Sequence, residues 1–307
     1  GVAKDLAKMS SKSAVKLLAP KEDGGLFRWV ALLTGSKNAV KGLGFLLGAA
    51  LLATVGFVWA VLGMAAVLAA ILVAVLLFMP EGLPKGRKGV PFSEVFSESA
   101  NVNWLSAARV FLFGARDVWF VVGIPIYFYA VLSDGTEAGN RAAFFTVGTF
   151  MAIWIILYGA VQAWAPRLLR AATRPEGDLV AAARRWAAWL TVVPALLAAL
   201  ALAAGEPASW LTAALIAGLL VFGALFAVNS SLHSYLILAF TRDARVTMDV
   251  GFYYMANAGG RLIGTVLSGA TYQIGGLPLV LGTAALMAGA SALIAGRLRP
   301  EAEAAPA

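Results

Sequence analysis

Cysteine is absent from this chain of 307 residues, and histidine occurs once. Without cysteine the chain has no disulfide, no thiol nucleophile and no thiolate ligand for a metal. A single histidine leaves almost no capacity for a zinc site. An intramembrane enzyme would have to work with serine and aspartate alone, so we expect no enzymatic activity, no metal and no cofactor. Charged residues are also scarce, at 13% of the chain against about 25% in a typical soluble domain.

Apolar runs are what the sequence has in abundance, since 61% of its residues are hydrophobic. A helix that crosses a bilayer needs about 20 mostly apolar residues. Eight segments meet this requirement: 29–55, 56–79, 104–131, 142–165, 185–204, 210–238, 250–271 and 278–296. The sequence therefore predicts an all-α polytopic membrane protein, and we interpret residues 1–19 as the end of a further helix.

The positive charges outside these segments lie mostly on one side of the membrane. Fourteen of the 24 Lys and Arg residues fall in connections that share one side, whereas the opposite connections hold Arg141 alone. Because lysine and arginine collect in cytoplasmic loops, this asymmetry predicts a cytoplasmic C-terminus. The net charge of +8 does not indicate nucleic acid as a partner, because the charges are spread over five separate loops at a membrane surface.

The order of spans predicts a division into two halves. The longest connection, 80–103, is rich in Pro, Gly and charge, as linkers are. Two spans precede it and six follow. A chain of six plus six helices around a long cytoplasmic loop is the plan of the major facilitator superfamily, which has two repeated halves. On this plan the chain lacks the first three helices of a longer protein; the alternative is another polytopic fold with an unusual span count. The expected parts are the rest of the N-terminal half (1–79), a central cytoplasmic linker (80–103), the C-terminal six-helix half (104–297) and a cytoplasmic tail (298–307).

Nine cations remain, and all lie inside apolar segments or in residues 1–19, where Asp5 and Asp117 are the acids at comparable depth. A charge at the centre of a membrane helix costs about 2.5–3.5 kcal/mol on insertion scales, so such residues normally face a partner or a hydrated cavity. Two acids cannot neutralise nine cations, and the surplus predicts an anionic substrate. The substrate-binding candidates are Lys41, Arg116 and Arg261, which lie near mid-membrane, with Lys4, Lys8, Lys37, Arg109 and Asn257.

Several of these residues admit a second interpretation. Arg109 could anchor the helix at the membrane interface, and Asn257 could bond a neighbouring helix instead of a ligand. Asp117 and Asp5 are candidates either for ion pairs with cations of neighbouring helices or for proton coupling. His233 is interpreted as a residue of a helix contact.

Glycines in the first span indicate close helix packing. Gly35, Gly44 and Gly48 are small residues that let two helix backbones approach and hinge. Their spacing resembles a glycine motif in the fifth helix of facilitator antiporters, and it departs from that motif after Gly48, where Ala49 follows.

Three stretches carry a resemblance to a known family: 1–18 (GVAKDLAKMSSKSAVKLL), 28–45 (RWVALLTGSKNAVKGLGF) and 106–120 (SAARVFLFGARDVWF). They resemble the organoarsenical efflux permeases (ArsJ type) of the major facilitator superfamily. The resemblance implies a bacterial inner-membrane exporter of 1-arseno-3-phosphoglycerate, a product of a glyceraldehyde-3-phosphate dehydrogenase that accepts arsenate. Export of this compound would confer arsenate resistance.

The charge pattern and the resemblance agree on a small anionic organic substrate handled within a lipid bilayer. The rival within transport is an exporter of another organophosphate or of a drug, although a drug pocket is expected to show lone acids and aromatics instead of surplus cations. A membrane scaffold without transport activity is a further alternative. The sequence does not identify a coupling ion; proton antiport through Asp117 or Asp5 is one hypothesis.

Overall fold

A computed structural model describes residues 25–78, 96–171, 173–242 and 245–300, and within these ranges all regular structure is helical. A five-residue π-helical stretch, Trp119–Gly123, is called the π segment below. The α-helices are α1 (Gly25–Phe78), α2 (Ala100–Val118), α3 (Ile124–Leu132), α4 (Glu137–Leu168), α5 (Glu176–Ala204), α6 (Ser209–Ala239) and α7 (Val246–Ala295).

Six helices of the described residues are long and apolar enough to cross a membrane. They are the second part of α1 (Val55–Phe78), the continuous α2–α3 helix, α4, α5, α6 and α7. The predicted all-α polytopic class is confirmed, and the chain is a multi-pass membrane protein. Residues 29–55, the first predicted span, are helical as well but are not among these six.

The helix α7 contains two predicted spans, 250–271 and 278–296, and it reverses direction between them. Its 50 residues would extend about 75 Å as a straight helix, more than twice the hydrocarbon thickness. The backbone breaks at Gly275 and at Gly276, whose φ of 59° favours glycine. Before the break, Gly260 packs against the Val110 carbonyl; after it, Ser291 Oγ donates to the Ala108 carbonyl at 2.9 Å. Both limbs of α7 therefore lie along the same turn of α2.

The helix α1 also consists of two parts, because Gly56 interrupts it with a φ of 77°. The first part packs against α4, where Gly35 meets the Gly159 carbonyl and Gly42 meets Ile156. A side chain at either glycine would collide with α4, so these two residues set the close approach of the two helices.

Proline and an aromatic cluster position the π segment. Pro125 lies two residues after the end of the π segment and cannot donate to the carbonyl four residues earlier. A widened turn is a common way for a helix to accommodate that loss. Trp119 packs edge-on against Trp154 and Phe222, at ring-centroid distances of 5.4 and 5.3 Å. Ser268 on α7 accepts a hydrogen bond from the Gly123 amide at 3.1 Å. The cluster fixes the part of α2 that carries Arg116 and Asp117.

Helix α2 begins at Ala100, four residues before the predicted span, because Ser99 caps it: the Ser99 Oγ accepts from the Val102 amide at 3.4 Å. Most of the predicted linker 80–103 and most of the predicted tail 298–307 lie outside the described residues. The division into two halves stays a prediction.

Candidate functional site

A cavity of about 400 Å³ opens where α1, α2, the π segment, α3, α4 and α7 meet, and we call it the cationic cavity. Its volume lies in the range of small-molecule sites, about 300–1,000 Å³. Three of the predicted substrate-binding residues, Lys41, Arg116 and Arg261, reach it from three different helices. The other lining residues are Asp117, Phe120, Val121, Pro125, Phe144, Gly148, Met151, Trp154, Ile155 and Tyr158.

Asp117 bridges the two arginines of the cavity. Its Oδ1 accepts from the Arg116 Nε at 2.6 Å, and its Oδ2 accepts from the Arg261 Nε at 2.8 Å. The Arg116 terminal nitrogen also lies 2.5 Å from Oδ1. Each carboxylate oxygen thus serves one arginine, and the bridge joins α2 to α7. Asp117 is 1% exposed, so this ion pair is screened little by solvent.

The described lining of the cationic cavity contains more cations than carboxylates. Among its described lining residues there are three cations, Lys41, Arg116 and Arg261, and one carboxylate, Asp117, which leaves a net charge of +2. The side chain of Arg261 is 44% exposed and that of Arg116 is 12% exposed. Arg261 is therefore the more accessible arginine, whereas Arg116 is enclosed by the bundle.

Aromatic rings hold the Arg116 guanidinium in place. Its central carbon lies 4.8 Å from the ring centroid of Phe113, 5.4 Å from that of Phe226 and 5.9 Å from that of Phe120. A ring face attracts a cation without neutralising it, so these contacts lower the cost of a buried charge and leave the cation able to attract an anion.

Arg109 does not line the cavity. It lies two turns earlier on α2, is 4% exposed, and sits between the rings of Phe113 and Tyr253, at 3.9 and 4.7 Å from their centroids. Its Nε donates to the Asn257 Oδ1 at 3.2 Å, and a terminal nitrogen donates to the carbonyl and hydroxyl oxygens of Ser230. No carboxylate among the described residues pairs with it. This burial argues against a role at the membrane interface.

Neutral polar groups surround Arg109 and reach the cavity. The Ser230 Oγ lies 3.3 Å from the hydroxyl of Tyr158 and 3.3 Å from the amide nitrogen of Gln162. Because Tyr158 also lines the cationic cavity, the hydrogen bonds run from Arg109 to the cavity wall. We call Arg109, Tyr158, Gln162, Ser230 and Asn257 the Arg109 network.

Three members of this network were not among the predicted site residues: Tyr158, Gln162 and Ser230. A signal for part of it was present in the polar run Asn229-Ser-Ser-Leu-His-Ser234, which interrupts an otherwise apolar helix. Asn229 and His233 are fully buried, and neither side chain has a hydrogen-bond partner in the described part of the chain. If His233 serves a helix contact, as the sequence predicts, it does so by packing and not by a hydrogen bond to another described residue.

The remaining predicted residues lie elsewhere. Lys37 is exposed one turn before Lys41 and is not part of the cavity wall. Gly35 packs tightly, whereas nothing in the described chain lies within 4 Å of a side chain placed at Gly44 or Gly48. Lys4, Lys8 and Asp5 lie outside the described residues. No group of three or more metal-ligating side chains occurs in the ranges that the structure describes.

Comparison with known proteins adds no assignment: no family model matches the sequence, and no curated protein or solved structure matches it either.

Proposed function

We propose that this chain belongs to an efflux transporter that binds an anionic organoarsenical, 1-arseno-3-phosphoglycerate, in the cationic cavity and exports it by alternating access. The cell that carries it would gain resistance to arsenate. The identity of the substrate comes from the family resemblance of residues 1–18, 28–45 and 106–120. The charge of the substrate is argued from the cavity itself.

The observation that carries the proposal is the surplus of arginines in a cavity lined mainly by candidate membrane-spanning helices. Arg116 and Arg261 share one carboxylate, that of Asp117, which leaves one positive charge in excess between them. Ionisable residues at this depth are costly and mark substrate or ion pathways. An organic molecule that carries an acyl arsenate group and a phosphate ester supplies negative charge to match this excess.

Each cation has a distinct role in the proposed complex. Arg116 and Arg261 present planar guanidinium groups that can bind an oxyanion through two parallel hydrogen bonds. In the free protein Asp117 accepts hydrogen bonds from both arginines. A bound substrate oxyanion would accept some of these hydrogen bonds in place of the Asp117 carboxylate. Lys41 contributes a compact point charge from α1.

The position of Lys41 links binding to movement. Lys41 belongs to the proposed N-terminal half, whereas Arg116 and Arg261 belong to the proposed C-terminal half. A substrate held by all three bridges the halves, which rock against each other in the facilitator mechanism. The tight packing of Gly35 and Gly42 on α4 supplies a contact about which such rocking can occur.

The proposal includes a place in the cell. We propose the bacterial inner membrane with a cytoplasmic C-terminus, supported by the uneven distribution of Lys and Arg over the predicted connections. An arsenate-accepting glyceraldehyde-3-phosphate dehydrogenase would supply the substrate, as the resemblance implies.

The test uses everted membrane vesicles that contain the full-length protein and are energised by respiration. The enzymatically prepared organoarsenical is offered at the cytoplasmic face, and accumulated arsenic is measured. Accumulation is expected for the parent and not for Arg116→Gln or Arg261→Gln. Arg167→Gln is the matched control, because Arg167 is an exposed arginine outside the cavity.

Two results would contradict the proposal. Equal accumulation by the parent and both cavity variants, at equal protein level, would remove the role of the cations. Accumulation of 3-phosphoglycerate or of a cationic dye in place of the organoarsenical would assign the protein to the rival classes, organophosphate or drug export.

A further inference from the structure

A second cavity, of about 510 Å³, lies between α5 and α6 and shares no lining residue with the cationic cavity. Six residues line it: Arg174, Ala182, Arg185, Trp186, Trp189 and Leu225. We call it the lipid groove. It plays no part in the transport mechanism proposed above.

Charge and apolar surface are separated along the groove. Arg174 lies two residues before the start of α5, and Arg185 lies in the third turn of that helix. Trp189 follows Arg185 by one turn, about 6 Å deeper along the helix at 1.5 Å per residue. It is 65% exposed, and Leu225 of α6 continues the apolar wall. The groove therefore has two cations at one end and an apolar wall that continues along the outer surface of the helix bundle.

The two arginines are not neutralised by neighbouring acids. Both are exposed, and neither forms an ion pair with a carboxylate among the described residues. Exposed arginines beside tryptophans are typical of the membrane–water boundary, where Trp rings sit at headgroup level. The cations are thus available to a ligand that approaches from the membrane surface.

We propose that the lipid groove binds an anionic phospholipid, with its headgroup phosphate between Arg174 and Arg185 and an acyl chain along Trp189 and Leu225. Basic pockets between membrane helices are a known type of site for anionic headgroups. A free phosphate ion would use the arginines but would gain nothing from the apolar wall. The combination of both features favours a lipid over a soluble anion.

Quenching of tryptophan fluorescence by brominated lipids tests the proposal on the full-length protein in vesicles. Dibrominated phosphatidylglycerol and dibrominated phosphatidylcholine are compared at equal mole fraction, and the contribution of Trp189 is obtained from the difference between the parent and Trp189→Phe. The Trp189 signal is expected to be quenched more by phosphatidylglycerol. Since each surface arginine contributes about 1 kcal/mol to anionic lipid binding, Arg174→Gln/Arg185→Gln is expected to weaken this relative association about 30-fold.

Arg167→Gln serves as the control, because Arg167 is an exposed arginine outside the groove, and it should retain the preference for phosphatidylglycerol. Equal quenching of parent Trp189 by the two lipids would overturn the proposal. An unchanged preference in the double variant, with helicity like that of the parent, would also overturn it. Loss of the preference on addition of millimolar inorganic phosphate at constant ionic strength would assign the arginines to a soluble anion instead.

Discussion

Asp117→Asn is the substitution that tests the charge arrangement of the cationic cavity most directly. Asparagine keeps the shape of the side chain, but it removes the negative charge that Arg116 and Arg261 share. The two guanidinium groups then face each other across α2 and α7 with no carboxylate between them. The net charge of the described cavity lining rises from +2 to +3.

The expected loss of stability is large because the bridge is buried. Removing one partner of a buried ion pair typically costs about 3–5 kcal/mol. Asp117 is 1% exposed and touches both arginines, although Arg261 is 44% exposed and can recover part of its hydration. We therefore expect the lower end of that range, which for a chain of this length corresponds to a fall in Tm on the order of 5 °C.

An anion should compensate in this variant. Phosphate that enters the cavity replaces the missing carboxylate, and a ligand at 100 times its Kd stabilises the folded state by about 2.7 kcal/mol. Thermal unfolding of the purified protein, followed by intrinsic fluorescence with and without phosphate at constant ionic strength, measures both effects. The phosphate-induced rise in Tm should be larger in Asp117→Asn than in the parent.

Asp178→Asn is the control, because Asp178 is an exposed carboxylate at the start of α5. The double variant Asp117→Asn/Arg261→Gln should recover part of the lost stability, since removing both partners of an interaction costs less than leaving one unpaired. The reasoning is refuted if Asp117→Asn unfolds at the parent's temperature and responds to phosphate no more than the parent does.

Three further predictions follow from the packing. Gly42→Leu should lower transport and thermal stability, because the new side chain collides with Ile156. Gly44→Leu is the control, since no described atom lies within 4 Å of a Cβ at Gly44, and it should leave both properties near parent values. Vesicle uptake measures transport, and Tm measures stability. Arg109→Lys should lower stability by about 1–3 kcal/mol, because an ammonium group cannot reach Asn257 and Ser230 with the same geometry; a Tm equal to the parent's would contradict it. Pro125→Ala should weaken substrate binding by allowing a regular α-helical turn in place of the π segment, and unchanged affinity in a binding titration would show that the π segment does not shape the cavity.

The helical fold could be predicted from the sequence because membrane spans are specified by local composition. Each of the eight apolar segments falls on helix within the described residues. Charge within such segments is equally visible, so Lys41, Arg116 and Arg261 could be singled out before their meeting in one cavity was known. The depth of a side chain in the membrane follows from its position along the helix, and the free-energy cost of placing it in lipid follows from its residue type.

What the sequence could not supply depends on tertiary contacts. The shared engagement of Asp117 needs the relative rotation of α2 and α7, which no local pattern specifies. Gly42 was missed because a glycine's importance depends on what faces it, here Ile156 of α4. The π segment was missed for a similar reason: Pro125 indicates a distortion of the helix, but the aromatic contacts around it decide which distortion forms.

The reversal of α7 has a mechanical consequence for the proposed transport cycle. Because both limbs of α7 grip one turn of α2, neither helix can tilt without carrying the other along. The backbone positions of Arg116, Asp117 and Arg261 are then expected to move together during the proposed cycle, while their side chains can still exchange Asp117 for substrate. The distance that changes is the one between Lys41 on α1 and the two arginines on α2 and α7. A pair of spectroscopic labels on α1 and α2 should therefore show a change of distance during transport, whereas a pair on α2 and α7 should show none.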